Sequence, residues 1–315
     1  MIDPVPDRHG YIHRLGPTPL VGVQLASGAP VIHCKLEFLN PSGSTKDRIA
    51  RFILGKAWRL EQLGPLSIVV EASSGSTSIA MALACAQLGI RFVAVMPEGV
   101  SNERVLIIRA YGGDIRLTPA AEGIGGAIAE TEAMAERDPA VFLPRQFSNP
   151  DNVNAHRIGT AREIIEQIPG GVVDAVVSGV GTGGTLVGLF AGLREAGCPV
   201  TPFLALPVNL TGPAEAECCS FSARIPGVVD SMSKLFDRAS MAGLEMVEVR
   251  DEDALATARE LIRRGFPVGP SSGLNYRAAL EVAKQLPEGA RIVTVLPDRM
   301  ERYFSTDLFR PLTEL

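Results

Sequence analysis

DAVVSGVGTGGT, residues 174–185, decides how this chain is read. DAVVS (174–178) is a short apolar run of strand type. It passes through a glycine-rich turn into a helical pattern over 184–196. A strand that feeds directly into a helix is the repeating unit of a parallel sheet. The unit recurs on both sides. Upstream, strands are expected at 67–72, 91–96, 114–118 and 141–144, and helices at 46–63, 76–88, 101–111, 124–136 and 154–167. Downstream come strands at 201–207 and 291–296 and helices at 252–264 and 274–286. Continuously apolar strands set between helices imply an α/β fold, with a buried parallel sheet covered on both faces. Three stretches, 1–40, 208–235 and 297–315, show scattered Pro and Gly and no clear period. FSNPDNV (147–153), with Pro150 between Asn and Asp, is the expected crossover between two domains.

Size and composition agree. A chain of 315 residues is long enough for about two domains at roughly 150 residues each. Apolar residues make up 46% and charged residues 21%, and the net charge is −5, which argues against a general nucleic-acid binder. Five cysteines, Cys34, Cys85, Cys198, Cys218 and Cys219, include no Cys-x-x-Cys pair, so neither a disulfide framework nor a thiol-ligated metal site is expected. The amino terminus has no signal-peptide pattern, and the longest apolar run, Ile79–Ala86, falls far short of the ~20 residues that span a bilayer. A cytoplasmic protein without membrane or nucleic-acid partners is expected.

Four short segments carry chemistry. SGVGTGGT (178–185) opens a helix, and its free backbone N–H groups make an anion site. Gly179, Gly181 and Gly184 fit the spacing of a dinucleotide fingerprint. The following strand, however, ends in Leu206-Pro207-Val208-Asn209 with no acid for a ribose, which favours a single phosphate. A tight turn using glycine for packing is the plainer alternative. EASSGSTS (71–78) also joins a strand to a helix. Its hydroxyls and helix N–H groups suit a small carboxylate, although helix capping needs only one of them. GPSSG (269–273) has nucleophile-elbow spacing, but His9, His13, His33 and His156 all precede it, against the order a serine hydrolase needs. NPSGSTKDR (40–48) carries Lys46 where a loop enters a helix. Burial and the positive helix end lower an amine's pKa, which suits Schiff-base chemistry. Lysine is scarce, the others being Lys35, Lys56, Lys234 and Lys284. A reactive lysine, a phosphate cup, a carboxylate cradle and a serine hydroxyl together match pyridoxal phosphate bound to an amino acid.

In these motifs the sequence resembles the cysteine synthase and cystathionine β-synthase family of fold-type II pyridoxal-phosphate enzymes. The resemblance runs from LGPTPLVGV (15–23) to LPDRMERYFST (296–306). It implies two three-layer αβα domains with mainly parallel sheets, similar to the β subunit of tryptophan synthase. Residues 40–150 would form the smaller, mobile domain, and 1–39 with 151–315 the larger one. It implies that Lys46 carries the cofactor and moves the α-proton. Gly181, Thr182, Gly183, Gly184 and Thr185 would hold the phosphate, Ser76 would touch the ring oxygen, and Ser271 would face the ring nitrogen. Ser73, Ser74, Gly75, Thr77 and Gln146 would bind the substrate carboxylate. No metal is implied. The activity implied is β-replacement on an O-activated L-serine through an aminoacrylate, with sulfide or another thiol as nucleophile, in a homodimer acting on small molecules.

The chain also departs from the family. Ser76 stands where Asn is usual, and Gly16-Pro17-Thr18-Pro19 replaces Gly-Asn-Thr-Pro. IPGVVDSMS (225–233) replaces a glycine-rich stretch, no acid follows LALP (204–207), and Arg299-Met300 replaces Ser-Gly. These positions border the substrate pocket in the family. An amine nucleophile, as in a 2,3-diaminopropionate-type synthase, another specialised β-substitution, and a degenerate cofactor-binding partner protein are therefore alternatives.

Overall fold

The computed structural model describes residues 15–208, 224–225, 233–239 and 241–313. Cys218, Cys219, Asn209, His9, His13 and most of 225–233 lie outside the described residues.

Two sheets organise the chain. One has four strands in the order β5-β4-β3-β6, from β3 (Ile68–Ala72), β4 (Arg91–Pro97), β5 (Asp114–Thr118) and β6 (Val141–Phe142), all parallel. The other has six, in the order β1-β2-β10-β7-β8-β9. Its members are β1 (Leu20–Val23), β2 (Ile32–Leu36), β7 (Ala175–Ser178), β8 (Thr201–Val208), β9 (Glu245–Arg250) and β10 (Ile292–Leu296). All its pairings are parallel except that of β1 with β2.

Side-chain alternation covers each sheet on both faces. In the smaller sheet, Val69, Phe92, Ala94 and Met96 pack with residues of α1 (Lys46–Arg59), α2 (Ser76–Leu88) and α3 (Asn102–Ala110). Their neighbours Val70, Ala72, Val93 and Val95 pack on α4 (Gly123–Arg137). A 151–167 segment follows, in which α5 (Asp151–Ala155) and α6 (Ala161–Gln167) are joined by a π-helical turn. In the larger sheet, Val176, Leu204, Val293 and Val295 face α6 and α7 (Gly184–Glu195). Ala175, Val177, Phe203, Ala205 and Ile292 face α8 (Asp251–Arg263) and α9 (Pro270–Ala283). This is the double coverage expected of strands that read as unbroken apolar runs.

The differences from expectation are local. α1 stops at Arg59 rather than 63 because Glu61 takes a left-handed backbone, φ 57°, ahead of Gly64-Pro65. The helix expected at 154 starts at Asp151, inside FSNPDNV, with Pro150 just before it, where proline's fixed φ is tolerated. α9 starts at Pro270, so GPSSG forms its first turn. β1, β2 and β9 were not anticipated. β2 carries His33 and a fully buried Lys35, which break its apolar pattern. β9 buries only alternate residues, Val247 and Val249.

Candidate active site

The strand ends place the four chemical segments around one cavity. β3 runs into Ser73–Gly75 and α2. β7 runs into the glycine turn and α7. β10 runs into Pro297-Asp298, which meets the loop before α1 through the Ser44–Asp298 bridge. Ligands in open parallel sheets sit at these carboxyl ends. Lys46, Ser73, Ser74, Gly75, Ser76, Thr77, Gln146, Gly181, Thr182, Gly183, Thr185 and Ser271 all line the cavity. Gly184 is the exception among the expected residues. It packs against Asn152, whose Oδ1 would lie 1.9 Å from a Cβ at that position.

Lys46 is the first residue of α1 and half-buried. Among the described residues its amine makes no hydrogen bond or ion pair. Burial holds its pKa below the ordinary lysine value, against the opposing pull of the Asp298 carboxylate. Other lysines are committed: Lys35 pairs with Glu163 at 2.8 Å, Lys56 with Asp151 at 2.7 Å and Lys284 with Glu281 at 2.6 Å. The loop leading to Lys46 is pinned from both ends. Asp47 accepts from the Ser42 N–H and Oγ–H and from the Ser44 N–H, and buried Arg302 donates to the Ser42 and Gly43 carbonyls.

The segment 73–77 divides its hydroxyls among different tasks. Ser73 Oγ accepts from the Gly75 N–H at 3.0 Å and from the Ser78 N–H at 3.4 Å, so it acts as the cap of α2. Buried Thr77 donates to Gln146 Oε1 at 2.6 Å, and Gln146 Nε2 donates to the Ala72 carbonyl at 2.7 Å. That chain fixes the amide beside the first turn of α2, whose N–H groups have no helical acceptors. Ser76 turns away from these partners and donates to Asp298 Oδ2 at 2.9 Å. Asp298 also accepts from the Tyr303 hydroxyl at 2.7 Å, and Arg302 donates to Ser76 Oγ at 3.2 Å.

The glycine turn has the form of an anion cup. Gly183 has φ 83°, a left-handed conformation that glycine adopts without strain, and precedes the first N–H groups of α7. Thr182 Oγ1 accepts from Asn152 Nδ2 at 2.9 Å, and Thr185 Oγ1 lies 3.3 Å from His156 Nε2. Burial pushes the His156 pKa down to about 3, so this imidazole is neutral and braces the cup. Ser271 borders the cavity from the first turn of α9, and Asn275 one turn later accepts from the Gly179 N–H at 2.7 Å.

Sequence reasoning missed Asn152, Asn275, Asp298, Arg302, Tyr303 and Arg104, which support or border this cavity. Three of them lie in DRMERY (298–303), where the charged and aromatic residues are visible in the sequence but their partners are not local. Arg104 stands in the third position of α3. Its guanidinium donates to the Ser74 carbonyl at 3.1 Å and lies 5.2 Å from the Tyr303 ring centre. A methyl group on Gly75 would meet its Cδ at 2.5 Å, so Gly75 is required for this close approach.

These residues fit pyridoxal phosphate: an unpartnered amine, a glycine cup on a helix terminus and a neutral serine share one cavity. The comparisons agree. The family described as pyridoxal-phosphate dependent enzymes matches residues 12–298. Cysteine synthase B of Campylobacter jejuni is 38% identical over 295 residues, covering 91% of this chain and 97% of that protein. The O-acetylserine dependent cystathionine β-synthase of Helicobacter pylori superimposes with a TM-score of 0.82 at 31% identity, over 93% of this chain and 96% of that one. O-ureido-L-serine synthase superimposes with a TM-score of 0.83 at 36% identity, over 94% and 93%. The chain belongs to the pyridoxal-phosphate dependent enzyme family, within its cysteine synthase and cystathionine β-synthase branch. It is a cysteine synthase-like enzyme that uses pyridoxal 5'-phosphate for β-replacement on an O-activated serine.

Proposed function

We propose that the protein replaces the β-oxygen substituent of an O-activated L-serine with a thiol nucleophile, sulfide or a larger thiol, and that Lys46 is its cofactor-bearing residue and base. The observation that carries this reading is the Lys46 amine, without a partner among the described residues, in one cavity with Thr77, Gln146 and Gly181, Thr182, Gly183 and Thr185 of the glycine turn. When bound, the cofactor supplies an electron sink next to the substrate Cα. The chain supplies the rest. Thr77, Gln146 and the first turn of α2 hold the amino-acid carboxylate and so fix which face of Cα meets Lys46. A lysine held below its ordinary pKa presents more neutral amine near neutrality, as a base must. The glycine turn holds the phosphate dianion at the positive end of α7. Ser271 is a neutral partner for the ring nitrogen and does not enforce its protonation.

We further propose a homodimer in the cytoplasm, with residues 40–150 moving as a unit over 1–39 and 151–315. The described residues include no helix long and apolar enough to cross a membrane. The direct test of the site is borohydride reduction of the holoenzyme followed by peptide mapping. The expected result is pyridoxyl label on Lys46 and bleaching of the cofactor absorption band by O-acetyl-L-serine before reduction. Label on another lysine overturns the assignment of Lys46. Absence of any spectral response to O-activated serines overturns the reaction.

A further inference from the structure

Asn152 ties together two segments of this cavity that come from different sheets. It lies on α5, only 1% exposed, in a groove that two glycines open along α7. A Cβ on Gly184 would lie 1.9 Å from Asn152 Oδ1, and one on Gly188 would meet the Val153 carbonyl at 2.5 Å and His156 Cβ at 2.6 Å. The segment 152–156 is thereby seated against the first two turns of α7, beside the glycine turn. The Asn152 amide nitrogen donates twice, to the Gln146 carbonyl at 2.8 Å and to Thr182 Oγ1 at 2.9 Å. A carbonyl only accepts, so the atom that faces Gln146 is the nitrogen. Oδ1 is buried, and among the described residues it has no partner. A bare buried acceptor opposes folding, so packing does not account for an amide here, whereas its two donations do. The donation to Thr182 has a directional consequence. A hydroxyl has one hydrogen to give and two lone pairs to receive. Thr182 Oγ1 receives from Asn152 and, at 3.4 Å, from the Gly184 N–H. Among the described residues its own O–H has no acceptor, and Thr182 lines the cavity, so that hydrogen is left for a ligand.

We propose that Asn152 is a positioning residue shared by the two ends of the site: its amide nitrogen aims the Thr182 O–H at the cofactor phosphate and holds Gln146 in place for the amino-acid carboxylate. Loss of this one amide then weakens both. The inference rests on the readings above of the 181–185 turn as the phosphate site and of Gln146 as a carboxylate ligand, and adds the residue that ties them. Asn152 is not among the residues that line the cavity, so it acts through its two partners. A hydroxyl donating to an anion makes a stronger bond than one donating to a neutral group, but only while its hydrogen points there. Gln146 is fixed in the same way from two sides, by Asn152 at its carbonyl and by Thr77 and the Ala72 carbonyl at its side-chain amide.

The test is a double-mutant cycle on the full-length chain, stripped of cofactor and titrated with pyridoxal 5'-phosphate and with pyridoxal, followed by the absorption band. Asn152→Ala is expected to weaken pyridoxal 5'-phosphate about tenfold, as loss of one bond to a charged group implies. In a Thr182→Val background the same change is expected to do little, because the hydroxyl it aims is gone. Pyridoxal, which lacks the phosphate, should bind Asn152→Ala as it binds wild type. In the reloaded enzyme, Asn152→Ala should also raise, about tenfold, the O-acetyl-L-serine concentration that half-bleaches the band. Asn152→Asp keeps the side chain's size and removes both donations, and it is held to the same outcomes should Asn152→Ala not fold. An equal loss in both backgrounds, an equal loss for pyridoxal, or an unchanged half-bleaching concentration overturns the proposal, since Asn152 would then be a structural brace. Wild-type protein that binds pyridoxal as tightly as its phosphate overturns the phosphate reading of the turn and the proposal with it. If O-acetyl-L-serine bleaches no band in wild type, the reaction reading fails, and the cofactor cycle alone decides for or against the proposal.

Discussion

Arg48 and Arg104 are both buried, and they stand in different electrostatic company. Two residues after Lys46, Arg48 is locked between two carboxylates, Glu37 at 2.6 Å and Glu163 at 2.7 Å, and donates to Thr18 Oγ1 at 3.1 Å. Lys35 closes the cluster through Glu163 and the Thr18 carbonyl. Burial alone would raise the Glu37 pKa, but Arg48 and Thr18 hold it down to about 2. Arg104, which lines the cavity, has a carbonyl and a ring and, among the described residues, no acid. A cation with all its partners supplied by the fold positions structure. A cation left short of partners at a cavity wall leaves part of its desolvation cost uncompensated. The first cluster joins β2, α1 and α6, so it fixes the helix that begins at Lys46.

The largest expected effect comes from breaking the paired side. Arg48→Ala leaves Glu37 and Glu163 facing each other with only Lys35 between them. Removing one partner of a buried ion cluster costs about 3–5 kcal/mol. Chemical denaturation of the holoenzyme should show that loss as a lower midpoint. A loss under about 1 kcal/mol would mean that the cluster is no more than a surface-type pair.

Glu71 is an intermediate case, a buried acid whose close partners are backbone N–H groups. Ala72 N–H donates to one oxygen at 2.9 Å and Gln146 N–H to the other at 3.1 Å. Burial outweighs these contacts and the nearby Arg145 charge, and pushes the pKa up from 4.5 to about 8. The folded state then keeps a proton that the unfolded chain releases. Its contribution to stability is complete below about pH 4.5 and is lost as pH rises through about 8. Inside that window the loss approaches about 1.4 kcal/mol per pH unit. The measurement is unfolding free energy at pH 5 and pH 7 for wild type and Glu71→Gln. The variant should show the flatter profile, and identical profiles would mean that Glu71 is ionised throughout.

On the unpaired side, Gly75→Ala should displace the Arg104 side chain, because the new methyl group would sit 2.5 Å from its Cδ and 2.8 Å from its Nε. Overpacking of this kind costs about 1–3 kcal/mol. Chemical denaturation of the holoenzyme should show this as a lower midpoint. An unchanged midpoint would show that the guanidinium moves aside without cost.

The same contrast explains what the sequence could show. Apolar runs such as IVVEA and DAVVS and the glycine turn announced strands, helix starts and the cup, because local chemistry decides them. Ser73, Ser74, Gly75, Ser76, Thr77 and Gln146 were legible as one group only through a family match, since nothing local brings Gln146 to Thr77. That one hydroxyl could cap the helix was legible, but not which one, nor what the others do. Ser73 caps a helix, and Ser76 serves Asp298, a residue more than two hundred positions away. Nothing local marks Lys35 as buried, because its partner Glu163 lies more than one hundred positions away. The pairing or isolation of a buried charge is a property of tertiary contacts, so the difference between Arg48 and Arg104 has no local signature.

The smallest expected effect separates two adjacent serines on α9. Ser271 borders the cavity, whereas Ser272 is fully buried, and among the described residues its hydroxyl has no partner. A buried hydroxyl without a hydrogen bond opposes folding, so removing it loses no bond and relieves desolvation. Against this stands the small void left by one oxygen atom. Ser272→Ala should therefore change stability by no more than about 0.5 kcal/mol, or raise it slightly. Ser271→Ala should instead alter the absorption spectrum of the bound cofactor. A spectral change in Ser272→Ala with none in Ser271→Ala would exchange their roles, and a loss of stability above about 1 kcal/mol in Ser272→Ala would show that its hydroxyl is hydrogen-bonded in solution.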